Sequence, residues 1–221
     1  MSKTVVVTGA NRGIGLSFVK RYLERGDTVY AACRQASDAL ADSGAHIVDG
    51  VDVSSEEGVA RLAKALDGVN VDLLINNAGI LRDESLGSLT PDTIRAQFDT
   101  NALGPLLVTE ALSERLSDGG KVALITSRMG SIADNTSGGR YGYRMSKAAL
   151  NAAGKSLSED LKGRGVAVAI LHPGLVGTEM IGGHGDLTPD EAAQRLVQRI
   201  DELTLENTGT FWHSNGSVLP W

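Results

Sequence analysis

The sequence predicts a doubly wound α/β domain, with one seven-stranded, mainly parallel sheet and helices on both of its faces. Three observations point there. Short β-branched runs, apolar on both sides, recur along the chain; they alternate with segments of helical period; and the connections are too short for anything except right-handed parallel crossovers. A length of 221 residues favours one domain, residues 1–221, over two independent cores.

The first run, Thr4-Val5-Val6-Val7, reads as a strand buried inside a parallel sheet, and it ends at Gly9. From Ile14 the period turns helical: Ile14, Phe18, Val19, Tyr22 and Leu23 share a face, Lys20, Arg21 and Glu24 point away, and Gly26 is the stop. A strand over Thr28 to Cys33 follows. Ala45 to Val51 is the next strand, and Ser54 with Glu57 reads as a capping box ahead of Val59, Leu62, Ala63 and Leu66. Val71 to Ile75 is another buried strand. Thr90-Pro91 opens a helix running toward Asn101, and a second helix extends from near Pro105 to near Leu116, with a break expected at Gly104-Pro105. Lys121 to Thr126 and Val166 to Leu171 are strands flanking a helix from Tyr143 to the glycines at 163 and 165. Thr188-Pro189 opens a last amphipathic helix, and Gly209 to His213 is the final strand.

Composition narrows the function classes. Hydrophobic residues at 42% and charged residues at 22% exclude disordered and collagen-like chains. A net charge of -6 sets the overall field against a nucleic acid backbone. No apolar run reaches membrane-spanning length, and a single cysteine, Cys33, with no secretory-type leader makes a cytoplasmic location the expectation. His46, His172, His184 and His213 are widely spaced, so no metal is expected; His172 is expected to be a packed, backbone-anchoring residue and Cys33 a small buried side chain.

After the first strand comes Thr8-Gly9-Ala10-Asn11-Arg12-Gly13-Ile14-Gly15. Between a buried strand and an amphipathic helix, such a turn lets backbone amides approach a pyrophosphate, while the helix start offers unpaired N–H groups and partial positive charge. On this segment alone an ordinary glycine turn is the alternative, because the spacing departs from G-x-G-x-x-G. The end of the second strand bears on cofactor choice. A carboxylate there accepts ribose hydroxyls and repels a 2′-phosphate; this chain has Cys33-Arg34-Gln35, with Arg12 as a second cation, which favours NADP(H), the alternative being that both arginines are solvated surface charges. Asp52 and Val53 either meet adenine, carboxylate to amino group and valine to ring face, or Asp52 only caps a turn.

Tyr143 and Lys147 stand four residues apart, on one face of a helix. Taken alone such a pair is commonplace. Its chemical interest is that a nearby ammonium helps lower a phenol from its reference pKa near 10 toward 7, a stabilisation of about 4 kcal/mol, giving a proton donor for a carbonyl or a base for an alcohol.

The ordered set is more telling than any member. Thr8 to Gly15, Asn76-Asn77-Ala78-Gly79, Asn101, Ser127 in Ser127-Arg128-Met129-Gly130, Tyr143 with Lys147, and Pro173-Gly174 occur in sequence, and the chain resembles the short-chain dehydrogenase/reductase family over essentially its whole length. Gly138 to Asn151, His172 to Met180 and the ending Leu219-Pro220-Trp221 look most like its compact carbonyl reductases of the sniffer and C-factor type. The resemblance implies a Rossmann fold and NADPH-dependent, reversible reduction of ketones and aldehydes. It implies Tyr143 as general acid/base, Lys147 on the nicotinamide ribose, Ser127 on the reacting oxygen, and Asn101 holding a water that links Lys147 to solvent. Asn77, Ala78 and Gly79 would pass the cofactor ribose, and Pro173, Gly174, Val176 and Thr178 would line the nicotinamide side. It also implies pairing into a homodimer or homotetramer, through helices corresponding to Pro105 to Leu116 and Tyr143 to Arg164.

Some features depart from the family. Thr126 stands where many relatives have serine, the stretch from Ser127 to Tyr143 is long and contains Gly138 and Gly139, and the segment Glu179 to Asp186 abbreviates the usual substrate lid, so an open site is expected. Arg128 and Arg140 could attract an acidic substrate, with solvent-facing arginines as the plainer reading. Trp212 and Trp221 either cover the sheet edge or meet another subunit, with core or edge packing the expectation. An NADP(H)-binding regulatory or signalling protein with little turnover is the competing function.

Overall fold

In a computed structural model, residues 2–221 are described. The strands are β1 (Thr4–Thr8), β2 (Thr28–Ala32), β3 (His46–Val48), β4 (Val71–Asn76), β5 (Leu116–Ile125), β6 (Ala167–His172) and β7 (Phe211–His213). They form one sheet in the order β3-β2-β1-β4-β5-β6-β7, and every neighbouring pair is parallel. The doubly wound fold expected from the sequence is present, and its seven strands pair in parallel throughout.

Alternation along the strands divides the interior into two layers. Val6, Leu74, Val122, Leu124 and Ile170 face helices α3 (Glu56–Ala65), α5 (Gly104–Leu112) and α6 (Tyr141–Lys162), which contribute Leu62, Val108, Leu112 and Leu150. Val5, Val7, Ile75, Ala123 and Leu171 face α1 (Gly13–Glu24) and α7 (Pro189–Asp201), whose Phe18, Tyr22, Leu196 and Ile200 cover them. Both faces of the sheet are therefore dry, which is why its strands read as continuous apolar runs. Leu124 and Ile170 are 0% exposed, and truncating either to alanine should cost about 2–5 kcal/mol.

The boundaries differ from expectation where a long-range contact decides them. Ser55, not Ser54, caps α3: its hydroxyl accepts the Gly58 N–H at 3.0 Å, while Ser54 is claimed by Asp52 Oδ1 at 2.6 Å. No break occurs at Gly104-Pro105. Helix α4 (Pro91–Phe98) continues through a π turn over Asp99–Leu103, in which the Gly104 N–H bonds the Asp99 carbonyl five residues back, and α5 follows at once. The wider turn relieves the clash that a proline ring makes with the carbonyl four residues earlier in an α-helix. Helix α5 stops at Leu112, because Leu116 already belongs to β5 and pairs with Val71. The third and last strands are shorter than the sequence suggests, α6 starts at Tyr141, and a one-turn helix, α2 (Asp38–Ala41), was not expected.

Among the described residues no helix is long and apolar enough to cross a membrane, and no group of three or more histidine, cysteine, aspartate or glutamate side chains could hold a metal ion. Trp221 stacks on Phe211 of the edge strand β7 with ring centroids 5.4 Å apart, and so covers that edge.

Candidate active site

The strand order reverses between β1 and β4, and open parallel sheets take ligands in the crevice beyond the carboxyl ends of such strands. A cleft of about 1280 Å3 lies along this edge. Gly9, Asn11, Arg12, Gly13, Ile14, Gly15, Arg34, Asp52, Val53, Asn77, Ala78 and Gly79 line it, as do Ser127, Tyr143, Lys147, Pro173, Gly174, Val176 and Thr178. Of the residues expected at a site only Asn101 is absent from the lining; it is 0% exposed and sits behind the wall.

Close packing forces the glycine turn at one end. Gly9 has φ +64°, and a Cβ there would lie 2.8 Å from Ala78 Cα; a Cβ on Gly15 would lie 2.1 Å from the Gly9 carbonyl oxygen. Asn77 Nδ2 donates to the Thr8 and Gly9 carbonyls, and Thr8 Oγ1 accepts from the Asn77 and Ala78 N–H groups, which ties the turn to the end of β4. At the start of α1 no side chain caps the helix and no acid stands in the first turn. The amides there remain available to an anion.

The cations around the turn are not equivalent. Arg12 reaches across the cleft to Glu179 at 2.7 Å, so the second candidate cation already has a partner. Arg34 has no carboxylate within ion-pair distance among the described residues. Asp52 does cap a turn: its Oδ1 accepts from Ser54 N at 3.0 Å and from Ser54 Oγ, and these bonds hold the carboxyl below its usual range despite partial burial.

At the other end, the helical spacing puts Tyr143 and Lys147 together, with Lys147 Nζ 5.8 Å from the centre of the phenol ring. Lys147 is 4% exposed and donates to the Ile125 carbonyl at 2.9 Å; burial pulls its pKa down to about 8. Burial pushes the Tyr143 phenol above its ordinary value, opposed by the adjacent Ser127 hydroxyl and by Arg140. Ser127 Oγ accepts the Met129 N–H at 3.1 Å, which orients the hydroxyl and leaves its proton free to donate. The Asn101 side chain is fully engaged: Oδ1 accepts from Ile80 N at 2.7 Å, and Nδ2 donates to Ile80 O at 2.8 Å and to Ser146 Oγ at 3.0 Å. Ser146 in turn donates to the Tyr143 carbonyl at 2.8 Å, so Asn101 braces the turn of α6 that carries the phenol.

Sequence reasoning missed Glu84, a carboxylate 3% exposed that accepts from Gly142 N at 3.1 Å, Thr93 Oγ1 at 2.8 Å and Gln97 Nε2 at 2.6 Å. Its partners lie in two helices distant in sequence, and no local pattern marks it. Arg82 and Arg144 were also passed over, although both line the cleft. Arg128 and Arg140 are exposed and ion-paired with Asp134 and Asp83, in keeping with the solvent-facing reading. His172 is packed, edge-on to His213 with centroids 4.9 Å apart, but its ring anchors no backbone: Nδ1 is buried without a partner among the described residues, and burial lowers its pKa to about 3. Cys33 is buried, its pKa raised to about 11 by burial and then by Asp49.

A family model for short chain dehydrogenase matches residues 3–187. The chain is 45% identical over 224 residues to 1-hydroxy-2-glutathionyl-2-methyl-3-butene dehydrogenase of Rhodococcus sp. strain AD45, covering 99% of each. Among solved structures it is similar to the carbonyl reductase Sniffer of D. melanogaster, with 29% identity, TM-score 0.92 and full coverage of both chains (100% each). It is also similar to an NADPH-bound carbonyl reductase from chicken fatty liver, with 31% identity, TM-score 0.89 and coverage of 100% and 99%.

Proposed function

The chain belongs to the short chain dehydrogenase family, and on that premise we propose that it reduces ketones and aldehydes with NADPH, reversibly, using Tyr143 as general acid and base. One unit spanning residues 1–221 serves both binding and chemistry. The observation that carries the reading is the meeting of the Tyr143 phenol, the Ser127 hydroxyl and the buried Lys147 ammonium on one wall of the cleft.

The residues fit NADP(H) on three counts. The start of α1 is left without cap or acid. Lys147 spends one of its three N–H donors on Ile125, which leaves two for the hydroxyls of a ribose. Arg34 has no carboxylate within ion-pair distance among the described residues, so its guanidinium is open to a 2′-phosphate. When bound, NADP(H) supplies or accepts the hydride.

In this reading Gly9, Asn11, Gly13, Ile14 and Gly15 hold the pyrophosphate, and Arg34 holds the 2′-phosphate, with Arg12 released from Glu179 as its second. Asp52 and Val53 border adenine. Asn77, Ala78 and Gly79 border ribose, and Pro173, Gly174, Val176 and Thr178 flank the nicotinamide.

Tyr143 enters the reaction protonated, since burial holds its pKa up, and its hydroxyl donates to the carbonyl oxygen. The proton it loses is replaced with help from Lys147, whose positive charge also stabilises the phenolate needed for the reverse direction. Ser127 donates its free O–H to the same oxygen. Asn101, whose side chain bonds Ile80 and Ser146, would hold the relay water that links Lys147 to solvent. The exposed Leu106 and Met145, on α5 and α6, support pairing into a homodimer or homotetramer.

Tyr143→Phe tests the assignment. NADPH consumption with an activated ketone should fall by about 10^3-fold while NADPH still binds; normal turnover would remove Tyr143 from the mechanism. Tight NADPH binding with no turnover across a carbonyl and alcohol panel would favour the signalling alternative.

A further inference from the structure

Four guanidinium groups line the Tyr143 end of the cleft: Arg82, Arg128, Arg140 and Arg144. Two are neutralised, Arg128 by Asp134 and Arg140 by Asp83. Among the described residues Arg82 and Arg144 have no carboxylate within ion-pair distance. Arg144, half-buried and next to Tyr143 in the chain, is held by neutral acceptors: Nε donates to the Gly138 and Gly139 carbonyls at 3.3 and 3.2 Å, and one terminal nitrogen donates to Ser137 Oγ at 2.9 Å. Its charge is fixed in place and not cancelled. Asp134 is within its field, but Arg128 is the partner that first holds that carboxyl low.

Arg82 lies in the loop after β4, anchored by its own backbone, with Arg82 N donating to Gln97 Oε1 and a guanidinium nitrogen donating to Leu81 O, both at 2.8 Å. A chain whose net charge is -6 thus keeps two uncancelled guanidinium groups on the lining of the cleft that holds Tyr143.

Resting on the carbonyl reductase reading above, we propose that the substrate of this cleft carries a carboxylate, which Arg144 and Arg82 hold while the carbonyl lies against Tyr143 and Ser127. A preset guanidinium matches a carboxylate with parallel N–H donors, and binding requires no existing ion pair to be broken. The carboxylate takes no part in the chemistry; it fixes which end of the substrate faces the phenol.

The test is a matched pair of aldehydes, 4-formylbenzoate and its methyl ester, reduced by the intact protein with NADPH. Electron withdrawal makes the ester the more reactive aldehyde, so a preference for the acid must come from the protein. The acid should be favoured in kcat/KM by on the order of tenfold, the worth of one charge-assisted hydrogen bond. That ratio should shrink as salt is raised, because screening shortens the reach of both arginines.

Arg144→Gln should reduce the ratio and Arg144→Lys should keep most of it. Arg82→Gln, at a side chain that holds no loop in place, should reduce it too, which preserves the test if Arg144→Gln disturbs residues 137–139. An ester used as well as the acid, with a ratio that neither glutamine variant moves, would overturn the proposal and leave the reductase reading intact. Turnover of neither these aldehydes nor any neutral carbonyl, with NADPH still bound, would overturn both.

Discussion

Helices α1 and α6 both begin in the cleft without a capping side chain of their own, and they are completed in opposite ways. At α1 the residue before the helix is Arg12, no side chain caps, and the first turn holds no acid. At α6 the corresponding residue is Arg140, in the left-handed region at φ 50° and ψ 46°, again with no cap of its own. There Glu84 arrives from the loop after β4: its carboxylate accepts the Gly142 N–H, and its carbonyl accepts the Arg140 N–H at 2.8 Å. One start keeps its donors open, as docking of a phosphate requires; the other has them filled, as holding a phenol still requires. Helix α7, by contrast with α1, carries a full capping box from Thr188 and Glu191.

The largest test of that contrast is Gly15→Ala. The new Cβ would meet the Gly9 carbonyl oxygen at 2.1 Å, with Asn77 Nδ2 at 2.6 Å, so backbone has to move. A stability loss of roughly 3 kcal/mol or more in urea titration is expected, with NADPH affinity falling further than the stability loss explains. Wild-type melting and binding together would show that the turn is not the packed anion cradle described.

Next comes the buried ammonium on α6. Burial lowers the folded pKa of Lys147 from 10.5 to about 8, so between those values the unfolded chain binds a proton that the folded chain does not. Stability from this group therefore rises with pH from about 8 to 10.5, and below about 8 the penalty is fully present. The shift is worth about 3 kcal/mol. Tyr22 and Tyr143, whose phenols are raised by burial, act in the reverse sense at high pH. The difference in unfolding free energy between wild type and Lys147→Met isolates the lysine and should carry the slope; parallel profiles would mean that Lys147 is solvated in the free protein.

Glu84→Ala leaves the buried Gly142 N–H without its acceptor and the Gln97 amide with only the Thr93 carbonyl, at about 1–3 kcal/mol. Because Gly142 immediately precedes Tyr143, kcat should drop more than KM rises, and Glu84→Gln, which keeps an acceptor, should recover part of both. Equal loss in stability with unchanged kcat would reduce Glu84 to a structural role.

These residues also mark how far the sequence could be read. Strand runs such as Val5-Val6-Val7 and Leu73-Leu74-Ile75 are legible because burial on both faces writes itself into adjacent residues, and Tyr143 with Lys147 because a helix sets their spacing. The placing of site residues just beyond the strand ends follows from the same local patterns. Glu84, Arg144 and the Arg12–Glu179 pair could not be read, since each depends on segments that only the finished fold brings together. The misread cap at α3 has the same cause on a smaller scale: Ser54 and Ser55 are equally good capping residues, and Asp52 decides between them by taking the first.

The smallest effect separates the two helix starts most directly. Arg12 occupies the capping position of α1 with extended backbone, φ −161° and ψ 174°, which serine adopts without strain. Arg12→Ala removes the exposed pair with Glu179 and adds no cap, whereas Arg12→Ser removes the same pair and adds a hydroxyl able to accept from the first-turn amides. The serine variant should be more stable than the alanine variant by about 1 kcal/mol in urea titration. It should nevertheless bind NADPH less tightly, because its oxygen occupies the donors that the pyrophosphate would use. A serine variant that is both more stable and equally tight in binding would mean that the open start of α1 is not where the anion sits, and the contrast with α6 would lose its functional meaning.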